Sequence, residues 1–292
     1  MPSSRDFSGL WIPLITPFAG DAIDHPALTR LVQHYAAAGV SGFVACGSTG
    51  EAAALDKTEQ LAVLDTVLVA ADALPVVMGL SGYHLGQTVT WVKELALRPI
   101  TGLLVPAPHY IRPSQAGLVH WFTALADASN KPLVVYDIPY RTGATITLDT
   151  LLALAAHPNI RAIKDCGGDA GKTQALIADG RLQVLAGEDA QIFSTLALGG
   201  AGSITASAHL CTTQFVDVMR LLQRGELQHA RTLWQPLVPV VNAVFAEPNP
   251  AVIKAVLAHQ GLMQDGLRLP MMAASSGATE RLLAAMAIAL TA

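Results

Sequence analysis

Cysteine is scarce in this sequence, and its three occurrences argue against a disulfide framework. Cys46, Cys166 and Cys211 form no C-x-x-C pair, and their odd number leaves one thiol over. Such thiols are expected in the core of a protein that folds in a reducing cytosol. The nine histidines are dispersed, without the H-E-x-x-H or similar spacing of metal ligands. We therefore predict no metal site.

Charged residues and long apolar runs are also scarce. Only 14% of the residues are charged, against about 25% in an average globular protein, which points to a surface partly covered by other subunits. The 18 basic residues are scattered among 22 acidic ones, so neither a nucleic-acid surface nor an anionic membrane surface is expected. No apolar run approaches the roughly 20 residues of a membrane-spanning helix. Residues 1–6 lack the apolar core of a signal peptide, and a cytoplasmic protein is expected.

Apolar residues, in contrast, make up 52% of the chain and recur in a regular rhythm. Short apolar runs that end in turn residues alternate with longer segments of helical spacing. The runs predict eight strands, over residues 9–15, 42–46, 76–79, 102–105, 133–136, 160–163, 183–186 and 202–205. Because these strands are continuously apolar, a parallel sheet buried on both faces is predicted. Eight βα units in about 210 residues fit an α/β protein of the (β/α)8 TIM barrel class.

The last part of the chain carries helical spacing alone. Beyond Thr212 no strand pattern returns, and helices are predicted over residues 215–223, 227–245, 250–260 and 278–289. We therefore predict two domains, a catalytic barrel over residues 1–225 and a C-terminal helical subdomain over residues 226–292. Within the barrel, the helix over residues 114–128 is predicted to begin with Ser114 as its N-cap, a position that serine favours.

A lysine in an unusual place marks the candidate active site. Lys164 follows the apolar run of the sixth strand and precedes the turn residues 165–168. Burying an ammonium group without a partner is unfavourable, and a buried lysine avoids this by losing its proton. The neutral amine is a nucleophile that can form a Schiff base with a carbonyl substrate. The alternative is a lysine whose charged end reaches out of the strand into solvent.

Further polar residues occur at the carboxyl ends of the other predicted strands, where barrels of this class have their active sites. In the turn 47–51, small residues would let backbone amides and the hydroxyls of Ser48 and Thr49 approach a carboxylate. The same turn could be an ordinary strand-to-helix connection. Tyr136 could relay protons beside a Schiff base or be a core aromatic. Arg141 could hold a carboxylate with two hydrogen bonds or be a solvated loop charge.

Nine motifs, spread over nearly the whole chain, match one known family in order. They are Thr16-Pro17-Phe18 and the segments 47–51, 108–115, 136–143, 163–165, 187–189, 202–205, 247–250 and 267–271. On these motifs the sequence resembles the dihydrodipicolinate synthase/N-acetylneuraminate lyase family of Schiff-base aldolases. The resemblance implies a barrel enzyme whose lysine forms an imine with pyruvate, without a metal or an organic cofactor.

The resemblance also implies roles for individual residues. Lys164 matches the imine-forming lysine, and Tyr136 matches the tyrosine that relays protons to and from the imine. Ser48 falls on the hydroxyl of the same relay, and Thr49 on the residue that binds the pyruvate carboxylate. The other implied positions are a relay tyrosine from an adjacent subunit, an arginine for the second substrate's carboxylate and two pocket residues: Tyr110, Arg141, Gly187 and Ile204. A homotetramer built as a dimer of dimers is implied with them.

Two branches of the family differ in the second substrate. The segments 140–143, 247–250 and 267–271 resemble the synthase branch, which condenses pyruvate with aspartate-4-semialdehyde in lysine and diaminopimelate biosynthesis. The alternatives are another pyruvate-dependent aldolase or lyase, acting on N-acetylneuraminate, a 2-keto-3-deoxy sugar acid or a hydroxy-oxo acid, and a catalytically silent relative that binds a 2-oxo acid. Four features depart from the synthase pattern without removing a proposed catalytic group. They are Asp137 and Ile111 in place of asparagines, His109 in place of a tyrosine, and the unusual lysine motif 164–168.

Other polar residues have no assigned role in the chemistry. Lys57, Tyr83, Gln87 and His109 fall near the positions where lysine-inhibited members bind the allosteric amino acid, and none matches the expected His, Asn, Glu and Tyr. We therefore predict weak or absent feedback inhibition by lysine. The remaining set is interpreted as structural or packing residues: His109, His209, Asp165 and Cys166.

Overall fold

The computed structural model describes residues 6–291, and its central feature is a closed barrel of eight strands. Within these residues there are ten strands: β1 (Gly9–Pro13), β2 (Phe18–Ala19), β3 (Ala22–Ile23), β4 (Gly42–Ala45), β5 (Val76–Gly79), β6 (Gly102–Pro106), β7 (Leu133–Asp137), β8 (Ile160–Asp165), β9 (Gln183–Ala186) and β10 (Gly202–Ile204). The barrel order is β1-β10-β9-β8-β7-β6-β5-β4, with parallel pairing between neighbours. The predicted (β/α)8 barrel is confirmed.

Helices follow most barrel strands and continue to the end of the described chain. Those within residues 6–291 are α1 (His25–Ala37), α2 (Lys57–Ala70), α3 (Leu85–Leu95), α4 (Gln115–Asp127), α5 (Pro139–Thr142), α6 (Leu148–Leu154), α7 (Ala170–Asp179), α8 (Ile192–Ala197), α9 (Thr212–Gln223), α10 (Leu227–Val244), α11 (Ala251–His259) and α12 (Ser276–Ala289). Ser114 caps α4 as predicted, because its hydroxyl accepts a hydrogen bond from the Gly117 backbone N–H at 3.2 Å. None of these helices is long and apolar enough to cross a membrane. The predicted absence of a signal peptide concerns residues that lie mostly outside the described range.

The chain divides into two compact units, of which the first comprises residues 75–204 with residues 6–9. In this unit β5 to β10 pair in chain order. The register between β7 and β8 places Tyr136 beside Lys164 and Asp137 beside Asp165. Because successive side chains of a strand point to opposite faces, the tyrosine and the lysine share one face and the two aspartates share the other.

The second unit comprises residues 10–74 with residues 205–291. Within it β1 pairs with β4, α1 packs on α2, and α10 packs on both α9 and α12. The C-terminal helices therefore belong to the same compact unit as the first βα elements of the chain. The predicted boundary between residues 225 and 226 falls inside this unit, between α9 and α10, and stays a prediction.

Two local features differ from the predicted elements. The strands β2 and β3 form an antiparallel hairpin that was not predicted, since two-residue strands show no periodicity. The sixth barrel strand was predicted to end at Ile163, with Lys164 following it. In the structure β8 continues through Asp165, and Lys164 pairs with Leu185 of β9. The lysine thus lies within a buried strand.

Candidate active site

The centre of the site is a buried lysine beside a buried tyrosine. Lys164 Nζ donates a hydrogen bond to Tyr136 Oη at 3.3 Å and lies 4.3 Å from the centroid of the same ring. Only 5% of Lys164 and 7% of Tyr136 are exposed. This is the one hydrogen bond that the Lys164 side chain makes within residues 6–291. The alternative of a lysine that reaches into solvent is therefore wrong.

The space beside Lys164 depends on Gly187, which follows β9. A Cβ atom at position 187 would lie 2.8 Å from Lys164 Cγ and 3.0 Å from the backbone oxygen of Asp165, and it would overlap Cys166 Sγ. A larger residue would have to displace the lysine or the cysteine. Burial raises the pKa of the Cys166 thiol, which favours the protonated form and a packing role over a nucleophilic one.

The opposite face of β7 and β8 carries a second polar cluster. Lys172 on α7 forms an ion pair with Asp137, and both side chains are buried. Beside this pair, Thr173 Oγ1 donates a hydrogen bond to Asp165 Oδ2 at 2.5 Å. Burial raises the pKa of Asp137, and the adjacent Lys172 opposes that shift. The cluster fastens α7 to the two strands that hold the lysine–tyrosine pair.

This cluster was missed by the sequence reasoning, which noted Asp137 only as a departure from the usual asparagine. A signal for it was present in α7. Lys172 and the buried Leu176 are four residues apart, so they lie on the same helix face. A lysine in an apolar helix stripe, together with an unexpected aspartate at a strand end, could have indicated an ion pair.

The predicted hydroxyl residues belong to the second compact unit and lie in the turn that follows β4. Ser48 is exposed, whereas Thr49 is buried. Thr49 Oγ1 accepts a hydrogen bond from Asn249 Nδ2 at 2.9 Å. The backbone oxygen of Gly50 accepts one from Thr16 Oγ1 at 2.7 Å. Asn249 was noted only as part of a motif, and its contact with Thr49 was not predicted.

The remaining candidate residues do not bond to the lysine. Tyr110 is 90% exposed and has a positive φ of 76°, an uncommon conformation for a tyrosine. Arg141, in α5, is exposed as well, and its Cζ lies 5.7 Å from the centroid of the Tyr140 ring. Ile204, the last residue of β10, is buried. Within the described part of the chain, none of them hydrogen-bonds to Lys164.

His209 has the environment of a structural residue. The Ile15 backbone N–H donates to its Nε2 atom at 3.3 Å, and its Nδ1 atom donates to the Ala206 backbone oxygen at 2.8 Å. Burial lowers the pKa of His209 to about 4, so the ring is neutral at neutral pH. Among residues 6–291 no group of three or more His, Cys, Asp or Glu side chains could hold a metal ion.

Comparison with known proteins decides which family has this arrangement. The model of the Dihydrodipicolinate synthetase family matches residues 6–289. The chain belongs to the dihydrodipicolinate synthetase family. The family expected from the nine sequence motifs is confirmed.

Individual members of the dihydrodipicolinate synthetase family resemble the chain over nearly its whole length. It is 35% identical over 278 residues to 4-hydroxy-tetrahydrodipicolinate synthase 2 of Clostridium acetobutylicum, covering 94% of this chain and 97% of the relative. It is 37% identical over 280 residues to the 4-hydroxy-tetrahydrodipicolinate synthase of Limosilactobacillus fermentum, covering 94% and 90%. The structure of the chloride-inhibited dihydrodipicolinate synthase from Acinetobacter baumannii, complexed with pyruvate, has 30% identity and a TM-score of 0.93, covering 97% and 98%. All three are synthases, the branch that the sequence predicts.

Proposed function

We propose that the protein is a 4-hydroxy-tetrahydrodipicolinate synthase, which condenses pyruvate with L-aspartate-4-semialdehyde in lysine and diaminopimelate biosynthesis. The observation that carries the proposal is the buried Lys164 with Tyr136 at 3.3 Å. Two relatives with 35% and 37% identity bear the synthase name, and the Acinetobacter baumannii neighbour is described as complexed with pyruvate. These names favour the synthase over a sugar-acid lyase.

The chemistry begins at the Lys164 amine. The neutral amine adds to the ketone carbon of pyruvate, and loss of water gives an imine. Loss of a proton from the methyl carbon moves its electron pair toward the imine nitrogen and gives an enamine. The enamine carbon then forms the new bond to the aldehyde carbon, whose oxygen takes up a proton. Attack of the second substrate's amino group on the imine carbon closes the ring and releases the lysine, so no metal or organic cofactor is required.

Three side chains are proposed to move the protons of this sequence. Tyr136 accepts and returns protons at the imine, because its hydroxyl is the group in contact with Lys164 Nζ. Ser48 and Tyr110 extend the relay, and their assignment rests on the family motifs.

Four further residues are proposed to bind the substrates. The Thr49 hydroxyl binds the pyruvate carboxylate, and Arg141 holds the carboxylate of aspartate-4-semialdehyde with two charge-assisted hydrogen bonds. Gly187 lines the substrate pocket, where it also leaves room for the lysine. Ile204 lines the substrate pocket.

The assembly that fits this relay is a homotetramer made of two dimers, with Tyr110 acting in the neighbouring subunit. The 90% exposure of Tyr110 supports such a partner, as does the exposure of Ile111 and Tyr83. Shielding of these apolar side chains by a second copy would remove them from water. We propose a cytoplasmic enzyme with small-molecule substrates and no nucleic-acid or membrane partner.

Reduction with borohydride in the presence of pyruvate tests the proposal. The expected result is one stable pyruvate adduct in the intact mass, located on Lys164 by peptide mapping and absent from Lys164→Arg. The same protein should consume aspartate-4-semialdehyde with pyruvate and should not cleave N-acetylneuraminate. An adduct on another residue, or none, would refute the mechanism, and cleavage of the sugar acid with no use of the semialdehyde would assign the lyase.

Feedback control is expected to be weak or absent. Lys57, Tyr83, Gln87 and His109 do not supply the side chains with which inhibited members bind lysine, as noted from the sequence. Initial rates at rising lysine concentration measure this directly. An inhibition constant below about 1 mM, corresponding to a binding free energy beyond about −4 kcal/mol, would contradict the prediction.

A further inference from the structure

The structure places the amide nitrogen of Asn249, and not its oxygen, against the hydroxyl of Thr49. An amide NH2 group donates and cannot accept, so Thr49 Oγ1 is the acceptor, at 2.9 Å from Asn249 Nδ2. The Thr49 hydroxyl keeps its own proton, and no acceptor among residues 6–291 takes it. The bond to Thr49 is also the only hydrogen bond of the Asn249 side chain in this part of the chain. A buried hydroxyl held in this way suits an acceptor such as a carboxylate.

The turn that carries Thr49 is held at its far end by a buried ion pair. Glu51 has a left-handed backbone, with a φ of 52°, and its Oε1 atom lies 2.5 Å from Lys254 Nζ. Lys254 is fully buried and also donates to the Gly266 backbone oxygen at 2.8 Å. The Arg268 backbone N–H donates to Glu51 Oε2 at 3.3 Å. Burial lowers the pKa of Lys254, and the adjacent Glu51 opposes this shift.

These contacts join the turn 47–51 to one segment of the C-terminal region, residues 249–268. Asn249 contacts the side chain of Thr49, whereas Lys254 and Arg268 hold Glu51, two residues further on. Removing one partner of a buried ion pair is strongly destabilising, so the turn has little freedom to shift. The C-terminal segment thus supports a turn that lies some 200 residues earlier in the sequence.

We infer that Asn249 is a positioning residue for pyruvate: by donating to Thr49 Oγ1 it directs the Thr49 hydroxyl proton toward the pyruvate carboxylate. The inference rests on the proposed function, because it takes the Thr49 hydroxyl as the carboxylate's partner. Asn249 itself acts through Thr49. Its loss should therefore weaken pyruvate binding and leave imine formation at saturating pyruvate unchanged.

A double-mutant cycle on the full-length protein tests this inference. The pyruvate concentration that gives half-maximal borohydride trapping is measured for wild type, Asn249→Leu, Thr49→Val and the double variant. Loss of one charge-assisted hydrogen bond predicts about a tenfold rise for each single variant. The double variant should show the same value as Thr49→Val, because Asn249 has no effect without the hydroxyl. Asn242→Leu, the same change at an exposed site on α10, serves as the matched control and should match wild type.

The outcomes separate the inference from the proposed function. Additive effects in the double variant, or a half-saturation within twofold of wild type in Asn249→Leu, would overturn the role of Asn249. If wild type itself forms no pyruvate adduct, the proposed function falls, and the inference with it. If Asn249→Leu fails to fold, the nearly isosteric Asn249→Asp takes its place. Its carboxylate accepts the Thr49 proton, so a half-saturation at least tenfold above wild type is expected, and an unchanged value would overturn the inference.

Discussion

Gly187 lies against the side chain of Lys164, and a methyl group at this position would reach within 2.8 Å of Lys164 Cγ. We expect Gly187→Ala to displace the lysine from Tyr136 and to slow pyruvate adduct formation at least about tenfold, because small misplacements of reacting groups are costly. Overpacking should also lower the free energy of unfolding by about 1–3 kcal/mol. Single-turnover trapping and chemical denaturation measure the two effects.

A glycine in α12 provides the control for this substitution. A Cβ at Gly277 would meet only the Arg281 side chain, at 3.5 Å. Gly277→Ala should therefore trap pyruvate at the wild-type rate. A wild-type rate in Gly187→Ala as well would show that the lysine does not need the space beside it.

Arg141 offers a second test at the level of one side chain, since its proposed partner is the second substrate alone. Replacing it with alanine would remove the two proposed charge-assisted hydrogen bonds, so kcat/KM for aspartate-4-semialdehyde should fall about 100-fold. Trapping of pyruvate on Lys164 should continue as in wild type. Steady-state kinetics with each substrate varied in turn separate the two effects, and Arg224→Ala, an exposed arginine at the end of α9, is the control. If pyruvate trapping and use of the semialdehyde fell equally, Arg141 would not act on the second substrate alone.

At the scale of elements, α7 is joined to β7 by the buried pair of Lys172 and Asp137. Lys172→Met leaves the Asp137 carboxylate buried without a counter-charge, which should lower the free energy of unfolding by about 3–5 kcal/mol. Adding Asp137→Asn should restore most of that loss, because asparagine needs no counter-charge. Urea unfolding of the single and double variants provides the measurement.

The exposed pair of Arg181 and Asp179 is the natural comparison, with 45% and 24% of the side chains exposed. Removing Arg181 should leave the free energy of unfolding nearly unchanged, as is usual for surface ion pairs. If Lys172→Met lost as little stability as the Arg181 variant, burial of the Lys172–Asp137 pair would have no energetic consequence.

The elements also show where sequence reasoning succeeded. The strand over residues 76–79 and the strand over residues 183–186 were predicted with their observed bounds, because each is a short apolar run closed by a turn. The β2–β3 hairpin was missed because its strands are too short for a pattern. The partner of Asp137 lies 35 residues away on a helix, and its one signal in the sequence was the position of Lys172 on the same helix face as the buried Leu176.

For the molecule as a whole, His209 predicts how stability varies with pH. Its pKa is about 4 in the folded protein because of burial, and about 6.5 in an unfolded chain. Between these values the unfolded chain binds a proton that the folded protein does not, so stability rises with pH across this window. The contribution is complete above pH 6.5 and lost by pH 4, a difference of about 3 kcal/mol.

Denaturation at a series of pH values measures this effect, with His209→Gln as the comparison. Glutamine can donate and accept in the ring's place but does not titrate, so the variant should lose less stability than wild type between pH 6.5 and pH 4. Parallel curves for the two proteins would show that another group governs the acid response.

The candidate site was predictable to the extent that its chemistry follows strand ends. Lys164 and Tyr136 were recognised because a barrel brings the carboxyl ends of neighbouring strands together. In the structure the two side chains are in contact. The role of Asn249 was not recognised, because its partner Thr49 is 200 residues away. The hydrogen bond between them depends on how the C-terminal segment folds back. The exposure of Tyr110 was likewise not predictable, because it depends on the three-dimensional fold.

The burial of all three cysteines has a practical consequence for labelling. Cys46, Cys166 and Cys211 are buried, and burial raises the pKa of Cys46 to about 12 and that of Cys211 to about 11. Maleimides react with thiolates, so the native protein should take up almost no dye at pH 7. A cysteine introduced at an exposed position such as Asn242 would then be the single labelled site. Mixing donor- and acceptor-labelled copies would then test, by energy transfer, whether copies of this chain associate as the proposed homotetramer requires.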